Sequence, residues 1–135
     1  MDDARTAYQM YKLMKCPEID AFAAQEKAGS RNVYFERLDR FVKRAPPLLE
    51  DLGLSHADGD LKTFQQKIHA LRESLADIGA ASLSEEAEKV VGWAREEDRK
   101  KCGDALFPLS AKVKNLCAKL LDAQGAPDGA EAITI

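Results

Sequence analysis

A chain of 135 residues, 45% hydrophobic and 32% charged, is long enough to bury one core and short enough to form one domain. Its net charge of -3, with Lys and Arg scattered among acids, lacks the concentrated basic surface that nucleic-acid binding requires. No apolar run approaches the roughly 18 to 20 residues of a membrane span, and Met1-Asp2-Asp3 opens without the basic region and apolar core of a secretion signal, so the expectation is a cytoplasmic protein with neither nucleic-acid nor membrane partners.

Helical patterns fill the chain. Tyr8, Tyr11 and Met14 lie near helical spacing over Thr6 to Lys15, and Pro17 stops that helix because proline cannot continue the hydrogen-bond ladder. Residues 1–17 therefore read as an N-terminal helical extension. A short helix is predicted from Glu18 to about Lys27, with Gly29 as its stop and Ser30 as the N-cap of the next. From Arg31 the seam is Tyr34, Leu38, Phe41, Ala45 and Leu48, widened by Phe35, Val42 and Leu49. Pro46-Pro47 falls inside it and predicts a kink or break.

Gly53 to Gly59 reads as a polar loop containing His56 as a turn residue, with Asp58 or Asp60 available to cap the helix that follows. That helix carries Phe64, Ile68, Leu71, Leu75 and Ile78 at alternating steps of four and three, which is one buried stripe. His69 follows a stripe residue and so is rotated from the stripe by about 100°. It shares a more exposed face with Gln65, Arg72, Glu73 and Ala76. Gly79 is placed to end the helix or to admit a close neighbour.

Leu83, Ala87, Val90 or Val91, and Ala94 make the next seam, and Glu97-Asp98 marks a turn. Leu106, Leu109, Val113, Leu116 and Leu120 make the last, with Pro108 expected to bend it unless the helix begins later. Residues 124–135 are low in bulky apolar side chains and predict a disordered tail. Of the three cysteines, Cys102 and Cys117 fall on apolar helical positions and read as core, whereas Cys16, beside Pro17, is expected near an exposed turn; no zinc, haem or redox spacing is present. Four seams with short connections predict an all-α fold, an antiparallel four-helix bundle over residues 18–123 with one or two short N-terminal helices laid across an end.

The run His69-Ala70-Leu71-Arg72, then Ile78-Gly79-Ala80, then Leu83-Ser84, resembles the motif of the histidine phosphotransfer (HPt) domain, His-x-Leu-Lys-Gly or Ser followed by Gly-Ala and Leu. Ile19-Asp20, Ala28-Gly29 and Tyr34, Leu38, Phe41 and Val42 are similar to the family's opening helices, and the segments around Leu83 to Trp93 and Leu106 to Leu120 to its last two. The resemblance spans roughly Glu18 to Asp122. It implies a phosphocarrier of a multistep phosphorelay, not an enzyme, whose histidine takes a phosphoryl group from a receiver aspartate and passes it to another receiver. Implied partners are response-regulator receiver domains and a histidine or hybrid kinase; the chain itself would hold no cofactor, magnesium would come with the receiver, and a monomer is expected.

The residues agree with that chemistry. A neutral imidazole is nucleophilic at physiological pH because its ordinary pKa is about 6.5, and in-line phosphoryl transfer chiefly needs positioning and positive charge near the equatorial oxygens. Arg72, at i+3, is a candidate for that charge. Gln65 and Gln66, one turn earlier, are candidate donors, and the small Ala76, Gly79 and Ala80 either admit a partner or admit neighbouring helices. Two positions depart from the motif. Arg72 replaces Lys and keeps the charge, whereas Glu73 replaces a small residue and sets a carboxylate at i+4 from the histidine. The second departure leaves an alternative open, an HPt-like adaptor that docks a receiver or kinase without accepting phosphate.

Overall fold

Six α-helices make up the computed structural model of the chain, in which the backbone is described over residues 2–134 and the side chains over residues 7–123. They are α1 (Asp2–Met14), α2 (Ala21–Ala28), α3 (Arg31–Ala57), α4 (Leu61–Asp77), α5 (Ala81–Arg95) and α6 (Arg99–Thr134). The class is all-α, with no strand among the described residues. No helix among these is long and apolar enough to cross a membrane. Over 124–134, where a disordered tail is expected, the described backbone continues as α6, and the side chains there lie outside the described residues.

Local chemistry sets most helix ends. Asp20 Oδ1 accepts from the Ala23 amide, Ser30 Oγ from Val33 at 3.2 Å and Asp60 Oδ1 from Thr63 at 3.1 Å, so each of α2, α3 and α4 starts on a side-chain cap that satisfies a free amide. Of the two aspartates considered for α4, Asp60 is the cap. Gly29 ends α2 in the left-handed region, where its amide closes on Gln25 and Glu26.

Packing overrides the sequence reading in three places. The helix α3 runs through Pro46 and Pro47 without a break. Both prolines are exposed, while Ala45, Leu49 and Leu52 keep the opposite face buried on both sides of the pair. The loop expected from Gly53 begins only after Ala57. Arg99, from the start of α6, donates to the carbonyls of His56 and Ala57, and the His56 Nε2–H donates to the Arg99 carbonyl at 2.9 Å, a clasp that holds the last turn of α3 helical. Among the described residues of α1, Met10 and Leu13 are buried. Tyr11 and Met14 of the expected stripe are exposed, with Lys15 lying over the Tyr11 ring.

The helix α3 packs on α4, α4 on α5, α5 on α6 and α6 on α3, while α1 lies against α6 and α2 against α3. The inward stripes meet in one core that includes Tyr34, Phe64, Ile68, Leu71, Leu75, both Val90 and Val91, Leu109, Val113, Leu116 and Leu120. Pro108 sits exposed within α6, whose backbone continues past it. Cys102 and Cys117 are core residues as expected, but so is Cys16, which is buried and donates to Glu18. Burial pushes the Cys117 thiol up to about 11, so it stays protonated and unreactive at neutral pH.

Tyr34 is the polar tie in this core. Its ring is wholly buried and its hydroxyl donates to the Ile78 carbonyl at 2.9 Å, anchoring the end of α4 to α3. Burial drives its phenol well above the ordinary tyrosine range, so it remains a donor throughout the accessible pH range. Tyr34→Phe keeps the ring but strands a buried carbonyl, and a loss of about 1–3 kcal/mol in urea-denaturation stability is expected. A loss below a few tenths would show that Ile78 finds another donor.

Candidate functional site

Phe64, Ile68, Leu71 and Leu75 are each fully buried, which fixes the rotation of α4 about its axis. His69, next to Ile68, is thereby turned to the flank that meets α5, with 44% of its side chain exposed. It opens onto a groove of about 380 Å³ between α4 and α5, lined by Lys62, Gln65, Gln66, His69, Val91 and Arg95. The groove is therefore cationic, with amide groups beside the ring and Val91 as an apolar wall.

The imidazole already has a partner. Its Nε2 lies 3.0 Å from Glu73 Oε1, the i+4 contact that helical spacing favours. Either the Nε2–H donates to this carboxylate, leaving Nδ1 with the lone pair, or the exposed Glu73 side chain swings away and frees Nε2. Lys67, six residues before Glu73 on α4, pairs with Asp51 at 3.2 Å and leaves Glu73 to the ring.

Arg72 sits apart from the groove. Its Nε is 2.9 Å from Glu88 Oε2 on α5, and its Nη2 is 3.9 Å from Glu73 Oε1. The Nε is buried and makes no aligned hydrogen bond, so the contact with Glu88 is an ion pair by distance alone. Ser84 adds a second tie between the helices, its hydroxyl donating to the Arg72 carbonyl at 3.2 Å. Arg72 thus spends its charge on two acids of α4 and α5.

Gln65, Gln66 and His69 of the expected site are brought together, with Glu73 in contact with the ring. Ala76 is half-buried on the same helix. Gly79 and Ala80 take the packing role of the two considered for them. Ala80 is fully buried, and Gly79, at φ 85°, backs onto Asp20, the cap of α2, and Ala24 within it. Sequence reasoning passed over Lys62 and Arg95. Lys62 precedes His69 by seven residues, two helical turns on one face, and was recoverable from periodicity; Arg95 reaches the groove only through the packing of α5 on α4. Among the described residues no group of three or more His, Cys, Asp or Glu side chains gathers into a metal-binding cluster. Comparison with protein-family models, with curated proteins and with solved structures finds no match to this chain.

Proposed function

We propose that this chain is a histidine phosphotransfer domain, with α3 to α6 as its antiparallel four-helix bundle and His69 as phosphoryl acceptor. The observation that carries the reading is a half-exposed histidine opening onto a groove that holds two cations, Lys62 and Arg95, and two amides, Gln65 and Gln66. An imidazole nitrogen attacks the phosphorus of an aspartyl phosphate on a receiver, and the bond from phosphorus to the aspartate oxygen breaks, the carboxylate leaving with the electron pair. The imidazole proton passes to solvent or to Glu73, and a second receiver aspartate reverses the step. Lys62 and Arg95 supply the positive charge that such a transfer needs near the equatorial oxygens, a part first sought in Arg72. Any magnesium would be the receiver's.

The adaptor reading keeps one specific support, the 3.0 Å contact between His69 and Glu73, which sets negative charge where the phosphoryl group would arrive. Incubating the full chain with magnesium and a panel of receivers carrying labelled aspartyl phosphate separates the two readings. Acid-labile, base-stable label that maps to His69 by mass spectrometry is the expected result. Measurable binding of a receiver with no label on the chain, or label on another residue, overturns it.

A further inference from the structure

A second cationic feature lies on the other flank of α4, against α3. Arg37, Arg40 and Arg44 recur at steps of three and four and, with Phe41, line a notch of about 70 Å³ closed by Ser74, Asp77 and Ile78 of the α4 end. This spacing stacks like charges along one face, which destabilises a helix unless something neutralises them. Among the described residues one acid, Asp77, lines the notch against the three cations, and no carboxylate pairs with any of them. None of the three guanidinium groups has a carboxylate oxygen within 4.0 Å, and Asp39, the nearest acid in sequence to Arg40, pairs with Lys43 at 2.9 Å. Nor do they cap α4, since the Ile78 carbonyl takes its bond from Tyr34 and no other α4 carbonyl receives an arginine. Ser74 is half-buried, and its hydroxyl makes no hydrogen bond among the described residues.

Three guanidinium side chains and one hydroxyl lining the same open notch offer the donors that a tetrahedral oxyanion requires. Asp77 is the one acid in the lining, and with it ionised the notch still carries two net positive charges. We propose that this notch binds a phosphate monoester, its non-bridging oxygens held by Arg37, Arg40 and Arg44 and by the Ser74 hydroxyl. The site does not depend on phosphorylation of His69. Two sources share this chemistry, free or small-molecule phosphate and a phosphorylated side chain of a protein.

The test is a nuclear magnetic resonance titration of the full-length chain, isotopically labelled, at fixed ionic strength. Inorganic phosphate is added first, then a phosphoserine peptide with neutral flanks and its unphosphorylated form. Saturable shifts at Arg37, Arg40, Arg44 and Ser74 are expected with both phosphates and not with the bare peptide. Tighter binding of the phosphopeptide assigns a protein source, and equal or weaker binding a small-molecule one. Arg40→Gln should weaken binding about tenfold, Asp77→Asn should tighten it, and Lys114→Gln, an equal charge removed from exposed α6, should leave it unchanged. If Arg40→Gln does not fold, Arg44→Gln takes its place. Shifts that chloride reproduces at the same ionic strength, or wild-type affinity in the arginine variant, overturn the proposal.

Discussion

Gly79→Ala is expected to cost about 2–5 kcal/mol, a large share of the roughly 5–15 kcal/mol that stabilises a domain of this size. Two separate penalties add. At φ 85° the residue occupies the left-handed region, where a Cβ meets the following carbonyl at a cost of about 1–2 kcal/mol. The added carbon would also lie 2.7 Å from the Asp20 carbonyl oxygen and 2.9 Å from Ala24 Cβ, distances that real contacts do not reach. The first obstacle is backbone, so relief requires α2 to move. That movement strains the bond from the Asp20 amide to the Gly79 carbonyl, at 3.0 Å, and the cap that Asp20 provides to α2. Gly29→Ala is the control. Gly29 shares the left-handed conformation, at φ 93°, but its added carbon would meet nothing within 4 Å, so only the conformational penalty applies. Urea denaturation of both variants checks this, and equal losses would show that the close approach of α2 is not limiting.

The contrast between these glycines explains what was legible in the sequence. Caps and stops act within a few residues, and Gly29, Ser30 and Asp60 were readable because their partners are three or four positions away. Gly79 was readable as a helix end but not as the seat of α2, which is set by residues about sixty positions earlier. Pro46-Pro47 misled for the same reason. Its local cost is real, but Ala45, Leu49 and Leu52 are buried against other helices, and local propensity yields to that packing. The clasp between Arg99 and the end of α3 joins positions more than forty residues apart, and no periodicity announces it.

The candidate site divides in the same way. His69 was placed by its step from Ile68, which a helix converts directly into a direction. The role of Arg72 was not so placed, because reach along α4 is only half of the matter; Glu88, on α5, competes for the guanidinium from 2.9 Å. The charge that serves the groove instead comes from Lys62 on the same helix and Arg95 on the next. A motif read along one helix thus located the candidate nucleophile and missed half of its electrostatic setting, because that half is assembled by the pairing of two helices.

If His69 accepts phosphate as proposed, the Glu73 carboxylate beside it opposes the arriving charge, and Glu73→Gln is expected to speed phosphorylation of His69 about fivefold or more. A negative charge some 4 Å from an arriving phosphoryl oxygen opposes it by about 1 kcal/mol per unit charge in water and about 4 kcal/mol at an effective dielectric of 20. With 59% of the Glu73 side chain exposed, the lower figure governs, and 1 kcal/mol corresponds to roughly a fivefold rate. Glutamine removes the charge at nearly constant size, whereas Glu73→Gly also clears the space beside the ring, at about 1 kcal/mol of helix stability. A larger gain for glycine than for glutamine would assign the excess to bulk. The opposite sign is equally informative. If Nε2–H donates to Glu73 and Nδ1 is the attacking atom, the carboxylate holds the ring and takes up its positive charge, so both variants would be slower than wild type. His69→Gln should abolish label in every background. Single-turnover transfer from a labelled receiver, measured across these variants, therefore decides whether the carboxylate 3.0 Å from the imidazole is an obstacle or an orienting base.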